Sequence, residues 1–208
     1  MNREARRFLL LNLAATAGMA LLAAGILWLS GRPPLPASWA GPATWPMQLL
    51  WGTLVAVAAA ALLARLEPRG SFFEHVQRQV IGLLRRTRLG PGSLALVAAG
   101  AGLGEELLFR EALQPLLGLW ITSALFALVH GTVLASRSWS ALACTALLLA
   151  GGIVLGLLYE RAGLLAAVWA HALYDWAMLL LAWRQARGRG ELHGNTKAQS
   201  HKGTKEEG

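Results

Sequence analysis

The chain has 208 residues, of which 55% are apolar and only 14% are charged. A soluble domain of this size needs more polar cover for its surface, so this composition excludes an ordinary soluble globular protein. The formal net charge is +8, but no basic face interleaved with aromatic residues is apparent, so we expect no nucleic-acid partner. The positive charge indicates membrane topology and attraction to anionic lipid instead.

Six apolar stretches of about 20 residues follow one another, and each is long enough to cross a hydrocarbon core of roughly 30 Å. They are residues 8–30, 46–66, 93–117, 119–136, 140–159 and 163–183. This pattern predicts an all-α, polytopic membrane protein with about six transmembrane helices. The first stretch is longer than the apolar region of a usual signal peptide, so we expect it to be a retained anchor.

The arginines of the loops predict the orientation of the chain. Arg3, Arg6 and Arg7 precede the first span, and the loop between spans two and three is dense in arginine. The positive-inside rule assigns both regions to the cytoplasm. We therefore predict a multi-pass protein of the bacterial inner membrane with a cytoplasmic N-terminus and a cytoplasmic C-terminus.

The same loop has apolar residues at helical spacing, which predicts one cytoplasmic amphipathic helix in the inner headgroup layer. These residues are Phe72, Phe73, Val76, Val80, Leu83 and Leu84. His75 would be a solvated residue of that helix. The chain as a whole is predicted to form a single transmembrane domain over 1–186, followed by a disordered cytoplasmic tail over 187–208 that has almost no apolar content. His193 and His201 lie in this tail and have no predicted role.

Four ionisable residues interrupt the third predicted span: Glu105, Glu106, Arg110 and Glu111. An ionisable residue at the centre of a lone span costs about 2.5–3.5 kcal/mol, so these residues must face a protein interior or a wet cavity. On an α-helix Arg110 lies about 40° around from Glu106, one turn further on, so the two can neutralise each other. Glu105 points to a neighbouring face without a basic partner, and Glu111 is expected to be a charge near the helix end.

Two later spans supply complementary groups. His130 lies about 12 residues into span four, and His171 lies about nine residues into span six, with Asp175 one helical turn below it. We therefore expect Glu105, His130 and His171 at one depth near mid-membrane. A single intramembrane histidine is often a satisfied core residue, but a coincidence of depth on three helices favours a functional site.

A glutamate and a histidine around a water molecule form a general-base pair. In this set Glu105 would take a proton from a water that an imidazole orients, and the second imidazole would stabilise the oxyanion formed at an amide carbonyl. The residues therefore predict peptide hydrolysis. Cys144 is the sole cysteine, which excludes a disulfide within the chain, and an apolar helix keeps its thiol inert.

Three short stretches carry a resemblance to a known family. "EELLFR" (105–110), "FALVH" (126–130) and "HALYD" (171–175) resemble, in order, the three motifs of the CAAX-protease and bacteriocin-processing (CPBP, ABI) family of glutamic-type intramembrane endopeptidases. The resemblance covers about residues 93–180 and implies a conical, lipid-open catalytic cavity between helices.

The resemblance also implies a role for each matching residue. Glu105 and His130 would activate the water, and His171 and Asp175 would form the oxyanion hole. Supporting positions are implied for Glu106, Arg110 and Phe126. In the eukaryotic members the last position is Asn, which is a hydrogen-bond donor, whereas Asp175 donates only when it is protonated. Asp175 could instead orient His171, so both roles stay open.

No cofactor is expected, because no HExxH helix is present; a catalytic zinc held by the histidines, Glu105 and Asp175 is the alternative. The predicted partners are the lipid bilayer and a membrane-associated protein or peptide that is cleaved during bacterial maturation or sorting. CAAX processing itself is not transferred, because it needs prenylated targets. Two other functions stay open: a non-catalytic immunity or partner-binding protein, and a proton-coupled transporter, although no internal repeat favours the latter.

Overall fold

The computed structural model describes residues 1–32, 41–66, 71–130 and 138–203, without the side chains of residues 64, 66, 71–75 and 188–203. All regular structure in these ranges is helical, which confirms the all-α prediction. The α-helices are α1 (Arg3–Leu29), α2 (Trp45–Leu66), α3 (Ser71–Thr87), α4 (Pro91–Glu106), α5 (Gln114–Val129), α6 (Trp139–Ala162) and α7 (Leu164–Gly203). A π-helical segment, Leu107–Leu113, joins α4 directly to α5.

Five stretches of the described chain are long and apolar enough to cross a membrane. Four of them correspond to the first, second, fifth and sixth predicted spans. The remaining stretch, Pro91–Val129, has 39 residues, and it contains both the third predicted span and most of the fourth. At a rise of 1.5 Å per residue, it would measure about 58 Å if straight, roughly twice the thickness of the hydrocarbon core.

The chain reverses within this stretch at Gly118. This residue has φ 78° and ψ 166°, a combination that glycine adopts readily and that breaks the helix. After the break, the ring of Phe126 packs against that of Phe109, with centroids 5.3 Å apart. In a straight helix these 17 residues would separate the two rings by about 26 Å. The stretch therefore forms two antiparallel limbs, which divide at the predicted boundary between 117 and 119.

Local sequence explains where several helices begin. The Asn2 side chain accepts a hydrogen bond from Ala5 N at the start of α1, and Ser138 caps Ala141 N in the same way at the start of α6. Pro91 opens α4, at the first-turn position where its missing N–H costs nothing. Helix α6 ends at Ala162, and the φ of 124° at Gly163 lets the chain turn at once into α7.

Helix α7 is the centre of the bundle and packs against α2, α3, α4 and α6. Small residues allow the close crossings that membrane helices require. A Cβ atom added to Gly102 of α4 would lie 3.0 Å from the backbone nitrogen of Ala172 of α7. A Cβ atom on Gly52 of α2 would lie 2.8 Å from the carbonyl oxygen of Ala166. These contacts hold α7 between α2 and α4.

The amphipathic α3 covers one end of the bundle. Its Ile81 and Leu84 are buried with Ala5 of α1, Leu94 of α4 and Ala186 of α7. Arg85 also donates from Nε to the carbonyl oxygen of Ala186, at 3.2 Å. The side chains of Phe72, Phe73 and His75 lie outside the description, and the position of α3 in the headgroup layer stays a prediction.

The C-terminal part of α7 includes residues 187–203, for which the sequence predicts disorder. The backbone of this part is helical as far as Gly203, and residues 204–208 lie outside the description. The division into a transmembrane domain over 1–186 and a disordered tail over 187–208 stays a prediction.

Candidate active site

The predicted site residues come from four pieces of structure. Glu105 and Glu106 are the last two residues of α4, and Arg110 belongs to the π-helical segment. Phe126 lies on α5, with His130 directly after it, and α7 supplies His171 and Asp175. The reversal at Gly118 and the close packing of α4 on α7 bring all of these residues to one place.

Glu105 lies between the two histidines. Its Oε2 atom is 3.7 Å from Nε2 of His130 and 4.0 Å from Nε2 of His171. This oxygen is buried and has no hydrogen-bond partner. Both distances exceed a direct hydrogen bond, which for these atoms would measure about 2.7–3.2 Å. The gap suits a water molecule that bridges the carboxylate and an imidazole.

The backbone determines the tautomer of His130. Its Nδ1 lies 2.8 Å from the carbonyl oxygen of Phe126, one turn earlier. A carbonyl oxygen only accepts, so Nδ1 must carry the proton and donate it. In the neutral ring Nε2 is then an acceptor, and this atom faces Glu105.

The position of His130 in its helix differs from the prediction. The fourth span was expected to run from 119 to 136 with His130 in its interior. Helix α5 instead ends at Val129, and His130 is its C-terminal cap residue. Residues 131–137, which include the rest of the predicted span, lie outside the description.

His171 is held by Glu106. Its Nδ1 lies 2.7 Å from Glu106 Oε1, and the second carboxylate oxygen accepts from Nε of Arg110 at 3.1 Å. Glu106 and Arg110 are both completely buried. Arg110 keeps Glu106 as a carboxylate, which can only accept, so His171 donates from Nδ1. Its Nε2 is thereby directed toward Glu105.

The i, i+4 spacing predicted the ion pair of Glu106 with Arg110, but it gave no sign of the contact with His171. Glu106 and His171 lie on different helices and are 65 residues apart in sequence. The only sequence signal for this contact was that Glu106 lies in an apolar span of a chain that has a histidine motif in another span. Glu106 therefore has two partners, where the sequence predicted one.

Asp175 lies near Nε2 of His171, the ring nitrogen that is also close to Glu105. Its Oδ2 lies 3.6 Å from His171 Nε2, and about a third of the side chain (32%) is exposed. Glu106 holds Nδ1, and Asp175 lies beside the other ring nitrogen, Nε2, together with Glu105. The role of Asp175, either supporting the oxyanion or orienting His171, stays a prediction.

Phe126 forms the apolar wall of the site. Its ring centroid is 4.6 Å from that of His130 and 6.1 Å from that of His171. The guanidinium carbon of Arg110 also lies 5.4 Å from the ring centroid. The ring of Phe126 therefore lies close to both imidazoles and to the buried cation.

The sequence predicts that Glu111 is a charge near a helix end, and this prediction is wrong. It lies within the π-helical segment and is only 4% exposed. Tyr159 of α6 donates to its Oε2 at 3.2 Å, and Arg32 donates to its carbonyl oxygen at 3.3 Å. The prediction failed because the polypeptide continues from the π-helical segment into α5 without leaving the bundle.

The sequence reasoning also missed Gln114. This residue is 4% exposed, and its Oε1 accepts from Nη1 of Arg110 at 3.3 Å. Its amide nitrogen donates to the carbonyl oxygen of Gly156 and to Glu160 Oε1, both on α6. Its position one turn after Arg110 was the available signal, because residues four apart share a helix face.

Within the described residues, no group of three or more His, Cys, Asp and Glu side chains is arranged to hold a metal ion. Cys144 is a free, half-buried thiol on α6. The choice between hydrolysis without a metal and the zinc alternative stays a prediction that experiment must decide.

A family model described as "Type II CAAX prenyl endopeptidase Rce1-like" matches residues 88–177. This range is 90 of the 208 residues, and over it the chain is similar to the Rce1-like family. No curated protein and no solved structure matches the chain.

The Rce1-like match confirms the resemblance predicted from the three motifs. The matched range contains every predicted site residue, from Glu105 to Asp175. It supports a CAAX-type intramembrane protease activity at the level of the class. The roles of the individual residues, the substrate and the mechanism are not given by the Rce1-like match.

Proposed function

We propose that this protein is a glutamic-type intramembrane endopeptidase that hydrolyses a peptide bond in a membrane-associated protein or peptide. The observation that carries the proposal is the carboxylate of Glu105. Its buried Oε2 has no hydrogen-bond partner and lies 3.7 and 4.0 Å from two imidazole nitrogens. A carboxylate that only contributed to packing would pair with a donor of its own, as Glu106 does.

In the proposed reaction a water molecule lies between Glu105 Oε2 and His130 Nε2. The proton on His130 Nδ1 leaves Nε2 as an acceptor, which orients the water, and Glu105 takes a proton from it. The water oxygen forms a bond with the carbonyl carbon of the substrate. When the tetrahedral intermediate collapses, the C–N bond breaks and the protonated Glu105 gives its proton to the leaving amine.

His171 stabilises the oxyanion of that intermediate. Because its Nδ1 already donates to Glu106, its Nε2 can donate as well only when the ring is an imidazolium. Three carboxylates, those of Glu105, Glu106 and Asp175, surround this ring within 4.0 Å and balance such a cation. A preformed donor of this kind typically contributes a factor of about 10²–10³ to the rate.

The exposure of the side chains supports access from one side. Glu105 is 20% exposed and His130 33%, whereas Glu106 and Arg110 are fully buried behind them. The open side is therefore the one on which the two Nε2 atoms and Asp175 lie. We propose that the substrate enters here from the bilayer or its interface, and that it is a precursor cleaved in bacterial maturation or sorting at the inner membrane.

The substitution that tests the proposal is Glu105→Gln, which keeps the shape of the side chain and removes the base. We expect cleavage to fall by at least about 10²-fold in purified, reconstituted protein, because general-base catalysis contributes roughly 10²–10⁴. Glu4→Gln, an exposed change on α1, is the matched control and should leave cleavage unchanged. Substrates would be found by mass spectrometry, by comparing the termini of membrane proteins in cells that carry the wild-type enzyme and in cells that carry the Glu105→Gln variant.

Cleavage by Glu105→Gln at the wild-type rate would overturn the proposed mechanism. Absence of any processed terminus, with a cellular phenotype that survives alanine substitution of Glu105, His130 and His171, would favour a non-catalytic binding protein. Proton-coupled flux in vesicles without cleavage would favour a transporter.

A further inference from the structure

A chain of polar contacts leads from the candidate active site to α6. It begins at His171, passes through Glu106 and Arg110 to Gln114, and ends at Glu160. Each link is between 2.7 and 3.3 Å long. The last two members lie outside the three motifs that the resemblance covers.

The partners of Gln114 determine the orientation of its amide group. The nitrogen faces two acceptors, the carbonyl oxygen of Gly156 at 3.2 Å and Glu160 Oε1 at 2.9 Å. The oxygen faces a donor, Nη1 of Arg110. Turning the amide over would place a donor against the guanidinium and an acceptor against two acceptors, so only one orientation satisfies all three contacts.

This orientation matters because Arg110 has few other restraints. The guanidinium is completely buried, and its Nη2 atom has no hydrogen-bond partner. Glu106 and Gln114 thus provide its hydrogen bonds within the described residues, one from each side. A displaced guanidinium would release Glu106 Oε2, and Glu106 holds the imidazole of His171 through its other oxygen.

We propose that Gln114 and Glu160 are positioning residues for the reaction. They hold Arg110, and through Arg110 and Glu106 they hold the ring of His171 with Nε2 toward Glu105. Neither residue touches the reacting atoms. The inference deepens the proposed function, and it rests on the role of oxyanion donor that the proposed function gives to His171.

Helix α6 approaches closely enough for these contacts because residue 156 is glycine. A Cβ atom there would lie 2.7 Å from Gln114 Oε1 and 3.2 Å from Arg110 Nη1. The space that a side chain would fill is the space that the amide and the guanidinium occupy. Helix α6 therefore takes part in the site although it carries none of the motif residues.

The first measurement does not depend on cleavage. Protein labelled with ¹⁵N-histidine, of which the chain has five, would be observed in detergent micelles for the Nδ1–H resonance of His171. A short bond from Nδ1–H to a carboxylate gives a strongly downfield proton signal. We expect Gln114→Met and Glu160→Leu to move this signal upfield or broaden it. Glu160→Gln keeps an oxygen acceptor, so this variant should show the signal at its wild-type position.

The second measurement is kinetic. Positioning residues behind a catalytic group typically contribute about 10- to 100-fold to activity. We expect Gln114→Met and Glu160→Leu to lower kcat by about 10-fold with KM nearly unchanged, because the substrate contacts stay in place. Glu160→Gln should recover most of kcat.

Gln48→Met is the matched control for a general loss of stability. Gln48 is also a buried glutamine, which donates to Ala43 O and accepts from Ala166 N, and these contacts join α2 to the start of α7. We expect this variant to lose thermal stability while the signal of His171 and kcat stay as in the wild type.

The outcomes separate the two proposals. If Glu105→Gln is inactive but Gln114→Met and Glu160→Leu leave both kcat and the His171 signal unchanged, the positioning role is overturned and the proposed function stands. If the wild-type protein cleaves nothing, the proposed function fails, and the catalytic part of the inference fails with it. The resonance then decides the restraint of His171 alone: an unchanged signal in Gln114→Met and Glu160→Leu overturns it, and a changed signal that Glu160→Gln does not show supports it.

Discussion

Glu106 binds His171 and Arg110 at the same time, with one carboxylate oxygen 2.7 Å from Nδ1 of the imidazole and the other 3.1 Å from Nε of the guanidinium. This bridge joins the end of α4 to α7 and to the π-helical segment. It directs the free nitrogen of His171 toward Glu105. The neighbouring glutamates thus differ in environment: Glu106 has both oxygens bonded, and the inner oxygen of Glu105 has no partner.

The ion pair between Arg110 and Glu106 is expected to be essential for stability. Arg110→Met keeps much of the volume of the side chain but leaves a buried carboxylate without its cation, a change that typically costs about 3–5 kcal/mol. We expect a large fall in the midpoint of thermal unfolding in detergent. Arg161→Met, an exposed arginine near the end of α6, should leave the midpoint nearly unchanged. Equal midpoints for both variants would contradict this account of the buried pair.

Asp175 should tolerate an amide better than an apolar side chain. If it supports the oxyanion, Asp175→Asn supplies a permanent N–H donor and should retain activity within about an order of magnitude, whereas Asp175→Leu should lose about 10²-fold or more. The ratio of kcat values for the two variants on one substrate measures the difference. Similar activity for both would mean that Asp175 takes no part in stabilising the oxyanion.

Gly156 and Gly151 offer a matched pair on α6. A Cβ atom on Gly156 would collide with Leu119 and with Gln114, whereas nothing lies within 4 Å of a Cβ atom on Gly151. Gly156→Ala should therefore destabilise the protein by about 1–3 kcal/mol and lower kcat. Gly151→Ala should be neutral, or stabilising by about 0.5–1 kcal/mol, because alanine favours a helix. Calorimetry of the two variants provides the comparison, and a loss confined to Gly151→Ala would contradict the packing described here.

Hydrolysis is expected without a catalytic metal. Glu105 and His130 alone can activate the water, so prolonged treatment with a chelator should leave cleavage unchanged while a known zinc peptidase treated alongside loses its activity. Elemental analysis of the active, treated protein is the accompanying measurement. Stoichiometric zinc, whose removal abolishes cleavage and whose return restores it, would establish the zinc alternative instead.

Much of the fold could be predicted because apolar length and loop charge are local properties. The boundary between spans three and four was placed at residue 118, where the structure has the break at Gly118. The end of α5 could not be predicted, because Val133, Leu134 and Ala135 follow it and no charged residue or proline interrupts residues 131–136. For this reason the sequence places His130 in the helix interior, whereas the structure has it as the cap residue.

The site could be predicted only as far as sequence spacing reaches. The pairing of Glu106 with Arg110 followed from their four-residue separation, and the convergence of Glu105, His130 and His171 followed from their similar depth. The contact of Glu106 with His171 and that of Gln114 with Glu160 depend on how α4, α6 and α7 rotate about their axes. That rotation is set by packing at residues such as Gly102 and Gly156, which a single sequence does not reveal.

The π-helical segment Leu107–Leu113 has an evolutionary consequence. A π-helical turn holds one residue more than an α-helical turn, so the segment accommodates an extra residue between Glu106 and Gln114. Deleting one residue of the segment would shorten to three the four-residue spacing of Arg110 from either Glu106 or Gln114, and would disturb one of the two contacts that hold the guanidinium. Natural variants of this gene should therefore accept substitutions in the segment far more readily than changes in its length.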